Sequence, residues 1–221
     1  MLGPDRKAAL EQYRRRASVY DGELALFESI RRLAVARLAL RPGDVVLDVG
    51  CGTGLSLSMI RQGIGPRGRV IGIEQSPEMI EQARRRVKRR RWAGATLICA
   101  PGETADISVQ ADAALFHFTH DILRRPEAIA NVMRQLKPGA RIVASGLKWA
   151  PPPMWAVNLF VFPAALRSVT SFDGMDRPWG LLEDQVGRMN VESRLLGGVY
   201  VASGVRAPSP PRRRTRAVAD R

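Results

Sequence analysis

The stretch Asp44-Val45-Val46-Leu47-Asp48-Val49-Gly50-Cys51-Gly52-Thr53-Gly54 decides the fold. Val45 to Val49 is a short apolar run with β-branched residues and one embedded acid. That composition suits a strand buried on both faces of a parallel sheet. Gly50, Cys51, Gly52, Thr53 and Gly54 follow as a turn, three of whose positions can take positive φ or admit a ligand to the backbone. Leu55 to Ile60 then opens a helical pattern. Strand, glycine turn and helix start together make a nucleotide-type site at the carboxyl end of a strand. The dinucleotide fingerprint G-x-G-x-x-G fails because position 55 is Leu, and no lysine follows the turn as a phosphate-gripping loop requires.

Working outward, 221 residues suffice for one domain with a sizeable core, and 45% hydrophobic and 25% charged residues are globular values. No run is apolar enough to span a membrane, and no charged-then-apolar leader opens the chain, so cytoplasmic residence is expected. Cys51 and Cys99 read as free buried thiols rather than a disulfide. With only His117 and His120 beside them, no metal site is expected. The net charge of +14 is partly local: residues 84–91 carry seven cations and no acid, and six arginines stand against Asp220 from Val205 onward. This balance either coats a solvated face or favours anionic partners, whether nucleic acid, an anionic membrane surface or acidic substrates.

Leu24–Leu40 reads as an amphipathic helix with Leu26, Ile30, Leu33 and Arg37 near one face. Arg41-Pro-Gly-Asp44 is a turn, and a helix after the glycines runs to about Gln62. Arg69–Glu74 is a second strand. Ser76 as N-cap, Pro77 at the first helical position and Glu78 in the first turn start a helix to about Arg90. Strands follow at Ala95–Ala100 and Ala111–Phe118, then a helix Pro126–Leu136 closed by Lys137-Pro-Gly139, then a strand Ala140–Ser145. Val191–Ser193 and Gly198–Ser203 form an edge hairpin. The fold class is α/β: a Rossmann-like, doubly wound, mostly parallel seven-stranded sheet with an antiparallel edge hairpin. The organisation is an N-terminal helical cap (1–40), a binding domain (41–204) with an apolar insertion (149–179), and a basic disordered tail (205–221). The insertion, rich in Pro, Trp, Phe and Met, reads either as a lid or acceptor pocket or as core packing of an extra helix.

Asp48-Val-Gly-Cys-Gly-Thr-Gly54, Glu74 at the end of the second strand, Ser76-Pro-Glu-Met79 and Leu136-Lys-Pro-Gly139 together resemble class I S-adenosylmethionine-dependent methyltransferases. Tyr13, Arg16, Ala17, Tyr20 and Asp21 resemble the N-terminal segment of the small-molecule, ubiquinone/menaquinone-type members. The resemblance implies S-adenosyl-L-methionine as cofactor. It implies a site of Asp48, Gly50, Cys51, Gly52, Gly54, Glu74, Gln75, Met79, Gly102, Glu103, Phe118 and Tyr13. Glu74 can accept both ribose hydroxyls. Gly50, Gly52 and Gly54 let the backbone approach where a Cβ would collide. Asp48 either orients donors near the cofactor's ammonium or anchors the turn. The family's acid after the third strand is replaced by Pro101, so Glu103 or the backbone of Gly102 and Glu103 would meet the adenine.

Strand alternation puts His117 and Phe118 on opposite faces. His120 and Asp121 fall at the carboxyl end of that strand. Methyl transfer is an in-line displacement that needs alignment and a dry pocket, and a base only for a hydroxyl or acidic-carbon acceptor. His120, with Tyr20 and Asp121, is the candidate catalytic set; His120 is otherwise a structural hydrogen-bonder. The leading reading is a cytoplasmic methyltransferase, peripheral to a membrane or free of it, acting on a small, apolar or lipid-like acceptor. One alternative is a nucleic-acid methyltransferase using the arginine clusters. The other is a non-catalytic cofactor-binding protein with a basic membrane-surface patch.

Overall fold

The computed structural model describes Lys7, Leu10, Glu11 and residues 24–207. Tyr13, Tyr20, half of the expected N-terminal cap and most of the basic tail lie outside the described residues.

Within residues 24–207 the α-helices are α1 (Glu28–Arg37), α2 (Leu57–Ile64), α3 (Pro77–Arg89), α4 (His120–Leu123), α5 (Pro126–Arg134), α6 (Asn158–Leu166) and α7 (Gly180–Val186). The strands are β1 (Val45–Val49), β2 (Arg69–Glu74), β3 (Ala95–Cys99), β4 (Ala111–His117), β5 (Leu136–Leu147), β6 (Asn190–Arg194) and β7 (Val199–Val205). They form one sheet in the order β3-β2-β1-β4-β5-β7-β6. The first five pair in parallel and β7 runs antiparallel between β5 and β6. The order reverses between β1 and β4, so their carboxyl ends flank a crevice where ligands bind in such sheets.

Both faces of the sheet are covered. Leu47, Phe116 and Ile142 pack with Ile129 and Val132 of α5 and Leu182 of α7. Val46, Leu115 and Val143 pack with Ile30 and Ala34 of α1 and Leu57 and Ile60 of α2. Such two-sided burial explains why the parallel strands read as continuous apolar runs.

The expected elements are present, with four local differences. α1 begins at Glu28 after a 3-10 turn, and its buried face is Ile30, Arg31, Ala34 and Val35, while Leu26 is 83% exposed. The β5 ladder starts at Leu136, with a bulge opposite Ala111 to Ala113, so Lys137-Pro-Gly139 lies within the strand rather than closing a helix. Val205 completes β7 and the Arg206 N–H donates to Ala140, so ordered pairing runs past the expected start of the tail. Cys99 is exposed, because β3 is the sheet edge; Cys51 is buried, and both are free.

Candidate functional site

The glycine turn closes on β2. The N–H groups of Gly50 and Cys51 donate to the Ile73 carbonyl at 2.8 and 3.0 Å. Glu74 completes the closure: one carboxylate oxygen accepts from the Gly52 N–H at 3.0 Å and the other from the Ser76 N–H at 2.8 Å. Burial raises its pKa, and those backbone donors pull the other way. With the Gln75 backbone as a further donor, the carboxylate still has a lone pair for a ligand's hydroxyl. Ser76 caps α3 by accepting from the Met79 N–H, as its sequence position demands.

Gly50, Gly52 and Gly54 all have positive φ, at 73°, 54° and 81°. The collision expected of a Cβ is with protein at two of them. At Gly50 it would meet Thr119 Cγ2 at 2.3 Å, and at Gly54 Leu57 Cδ1 at 2.7 Å. Gly50 and Gly52 line a cleft of about 460 Å³, open solvent included, with Glu74, Gln75, Met79, Phe118, Thr119 and Asp121. A cavity of about 360 Å³ shares Gln75, Asp121 and Ile122 with it and adds Ile73, Ala100, Gly102 and Glu103. Glu103 pairs with Arg125 at 3.6 Å. The Gly102 carbonyl accepts from Asn131 at 2.8 Å, which fixes the loop after β3.

A third cavity, of about 280 Å³, is lined by Phe118, His120, Ser145, Gly146, Leu147, Ser168, Val169 and Tyr200. Phe118 therefore borders both the glycine-turn cavity and this one. Its φ is +56°, an uncommon conformation for an aromatic residue and a recurrent feature of ligand sites. The left-handed residue also ends the strand alternation. The rings of His117 and Phe118 stand edge to face at 4.8 Å rather than on opposite faces. The Phe27 ring also packs on Phe118, tilted at 49° with centroids 4.7 Å apart.

His120 Nε2 is 3.2 Å from the Asp173 carbonyl, which fits an Nε2–H tautomer. Its Nδ1 has no hydrogen-bond partner among the described residues. Burial lowers its pKa, outweighing Asp121 and the backbone at 171 and 173, so the ring is neutral at pH 7. Asp121 is engaged: Thr170 donates to it from the backbone N–H at 3.1 Å and from Oγ1 at 2.8 Å. Burial raises the Asp121 pKa, and the Thr170 donors oppose that. His120 and Asp121 thus fasten the start of α4 to the insertion at residues 170–173.

Beneath the glycine turn lies a charged group that periodicity did not find. Arg31 is 2% exposed, bonds Glu28, and leaves Nε and Nη2 without partners among the described residues. Asp48 is held by burial at a pKa of about 7, with Arg31 drawing it down and Glu74 pushing it up; its Oδ2 is also without a partner. His117, bonded to Ser145 Oγ at 2.7 Å, is driven to about 3 by burial and by Arg31. Thr119 and Tyr200 are further lining residues outside the expected set.

Residues 46–139 match the family model described as methyltransferase domain. A 37.1 kDa protein in transposon TN4556 of Streptomyces fradiae is 31% identical over 185 residues, 82% of this chain and 49% of that protein. The chain carries a class I S-adenosylmethionine-dependent methyltransferase domain. The 2-phytyl-1,4-naphtoquinone methyltransferase of Synechococcus elongatus is 30% identical to it over 151 residues, 64% of this chain and 63% of the relative. The structure of N-methyltransferase NodS from Bradyrhizobium japonicum WM9, in complex with S-adenosyl-l-homocysteine, superposes with a TM-score of 0.66 at 17% identity. It covers 90% of this chain and 98% of that one. The chain spans about half the length of the first curated relatives that it matches, 48 or 49% in each.

The residues of the domain fit its cofactor. Glu74 keeps spare acceptor capacity, Thr119 Oγ1 is an unsatisfied group on the cavity wall, and Ile73, Ala100 and Ile122 give the adjoining cavity apolar walls. Among the described residues no helix is long and apolar enough to cross a membrane, and no acid, Cys or His cluster could hold a metal ion.

Proposed function

We propose that the chain is an S-adenosylmethionine-dependent methyltransferase whose acceptor is a small, apolar or lipid-like molecule. The observation that carries this reading is the pair of cavities sharing Phe118 as a wall: a polar, glycine-backed one and a more apolar one. In this reading Glu74 takes the ribose hydroxyls, Gln75 and Met79 border the adenosine, and the backbone of Gly50, Cys51 and Gly52 faces the methionine portion. Gly54 does not line the cavity and serves the turn. Pro101 stands in the family acid's place, and the polar side chains of the second cavity are Gln75, Glu103, Asp121 and Arg125.

S-adenosylmethionine, when bound, supplies an electrophilic methyl group. The chain's part is to align the acceptor, exclude water and take its proton. Neutral His120 can receive that proton on Nδ1, while its Nε2–H is fixed by the Asp173 carbonyl. Asp121 positions this arrangement through Thr170 rather than acting as a base. The relative named for a phytyl-naphthoquinone substrate supports an apolar acceptor.

The arginine cluster gives the nucleic-acid alternative less support. Arg84 and Arg85 pair with Glu81, and Arg86 Nε donates to the Thr53 carbonyl, so three of the seven cations serve the fold. The test is transfer of radiolabelled methyl from S-adenosylmethionine to a panel of detergent-dispersed reduced naphthoquinones, with and without a prenyl chain. Label in the organic extract is expected. Label in added RNA with none in the extract, or cofactor binding without any transfer, would contradict the reading.

A further inference from the structure

The amino ends of β2 and β3 carry a cluster of cations that neither the core nor the site uses. α3 ends where these strands begin. The Val70 N–H donates to the Gly94 carbonyl at 2.9 Å, and a Cβ on Gly94 would lie 2.8 Å from the Gly68 carbonyl oxygen. Residues 67–69 and 88–94 therefore form one surface. Arg67, Arg69, Lys88, Arg89, Arg90 and Arg91 stand on it, all exposed. None of these six side chains makes an ion pair or a hydrogen bond among the described residues. Four of them are the cations of 84–91 that remain once Arg84 and Arg85 pair with Glu81 and Arg86 holds the Thr53 carbonyl.

No counter-charge is at hand. Segments 67–69 and 88–94 contain no acid. Asp44, whose carbonyl accepts from the Arg69 N–H, pairs its carboxylate with Arg141. Asp112, at the start of β4, pairs with Lys137 at 2.7 Å. Glu78 lies in the first turn of α3, at the opposite end of the helix. Asp106 follows Ala105, which packs with α5 on one face of the sheet, whereas Val87 and Trp92 pack with α1 and α2 on the other. A helix C-terminus favours cations in its last turn, which accounts for Lys88 and Arg89. It does not account for Arg90 and Arg91 beyond the helix, or for Arg67 and Arg69 across the surface. Like charges gathered in this way repel one another, and an anion that spans several of them relieves the repulsion.

The chain adds positive charge at the same end of the sheet. Val205 pairs with Arg141, which pairs with Ala113 near the start of β4, so the chain passes residue 207 at the amino end of the parallel strands. Residues 208–221 carry Arg212, Arg213, Arg214, Arg216 and Arg221 against Asp220.

The chemistry of the surface selects its partner. Five of the six cations are arginines, whose planar fork matches phosphate oxygens in pairs. No large apolar side chain from residue 60 to 100 is exposed, so the cations lack the apolar anchors of a bilayer-docking face. A phosphate polymer needs only the cations. β2 runs from Arg69 to Glu74, which sets such a polymer ~17 Å from the glycine turn. It would lie outside the methyl-transfer site.

We propose that the surface of residues 67–69 and 88–94 binds the phosphate backbone of a nucleic acid and holds the chain on it without presenting it for methylation. The inference is independent of the acceptor.

A fluorescein-labelled DNA duplex of about 20 base pairs is titrated with the full chain, and anisotropy is followed as NaCl is raised. Six phosphate contacts predict a slope at least as steep as about −5 in log Kobs against log [NaCl]. The combined variant Arg67→Gln, Arg69→Gln, Arg90→Gln and Arg91→Gln should make the slope shallower by about 3.5 and weaken binding at least about tenfold. Its calorimetric S-adenosylmethionine affinity should equal that of the wild type, which checks folding. Absence of salt-dependent binding, or an equal slope in the variant, overturns the proposal. So does binding that vanishes with Arg212→Gln, Arg213→Gln and Arg214→Gln alone, because the tail is then the site. Adsorption to phosphatidylglycerol vesicles that the combined variant loses, with the duplex unbound, overturns it in favour of a lipid surface. Methyl label in the duplex overturns it too, because the polymer then reaches the site. Duplex binding with no label in the naphthoquinone extract would instead refute the acceptor reading alone.

Discussion

The two sides of the site are built differently. The side proposed for the cofactor is a local structure: Gly50, Gly52, Glu74 and Ser76 come from two adjacent parallel strands and the turns after them, with the Gly52 and Ser76 N–H groups joined through the Glu74 carboxylate. The side proposed for the acceptor is assembled from afar. Asp121 meets Thr170, and His120 meets Asp173, across about fifty residues of chain. The first side depends on backbone geometry that few sequences satisfy; the second depends on side chains that many loops could supply. One scaffold can therefore keep its cofactor while its acceptor changes.

If that division holds, substitutions on each side separate cleanly. The largest expected effect is on His120. His120→Gln should lower kcat about 100-fold, with the cofactor affinity unmoved. In the wild type, kcat should rise with pH and reach its plateau below the ordinary histidine pKa, since burial lowers that of His120. A parallel loss of cofactor affinity would break the comparison. Next is Gly50→Ala, where a Cβ meets Thr119 at 2.3 Å in a positive-φ residue. Denaturant unfolding should show a loss of about 2 kcal/mol, and because Thr119 leads into α4, both sides should suffer. Asp121→Asn weakens the tie to Thr170. It should cost about tenfold in acceptor kcat/KM, or about 1.4 kcal/mol, and leave cofactor binding intact by calorimetry.

The smallest effect sharpens the buried charge set. His117 titrates at about 3 in the fold, below its ordinary value, so it stabilises the fold above pH 6.5 and that stability is lost as pH falls. Asp48, raised to about 7, acts oppositely: its contribution is full below its unfolded pKa and is lost as pH rises through 7. Between roughly pH 4 and 6.5 the two slopes oppose each other. His117→Gln should expose the Asp48 slope, with chemical-denaturation stability falling as pH rises across that interval. A stability that climbs with pH in the variant would contradict the assignment.

The contrast also explains what the sequence disclosed. β1, β2 and the start of α3 were legible to the residue because strand burial, glycine turns and the Ser76-Pro77 cap are local signals. Arg31 escaped because periodicity groups apolar residues, and a buried cation sits on the core face without joining the pattern. Tyr200 read only as a strand residue, since its place beside His120 depends on the β5–β7 pairing. The 149–179 segment read as pocket or core, yet α6 turns Leu159 and Phe160 to solvent. An apolar run does not reveal which of its faces lacks a partner. α7 gave no signal strong enough to be expected at all.

The central claim is that Glu74 joins the glycine turn to the cofactor's ribose. Calorimetric titration of S-adenosylmethionine into the full chain and into Glu74→Ala tests it most directly. One saturable site in the wild type, weakened at least about 100-fold in the variant, is the predicted result. Equal affinity in a folded Glu74→Ala protein would contradict it.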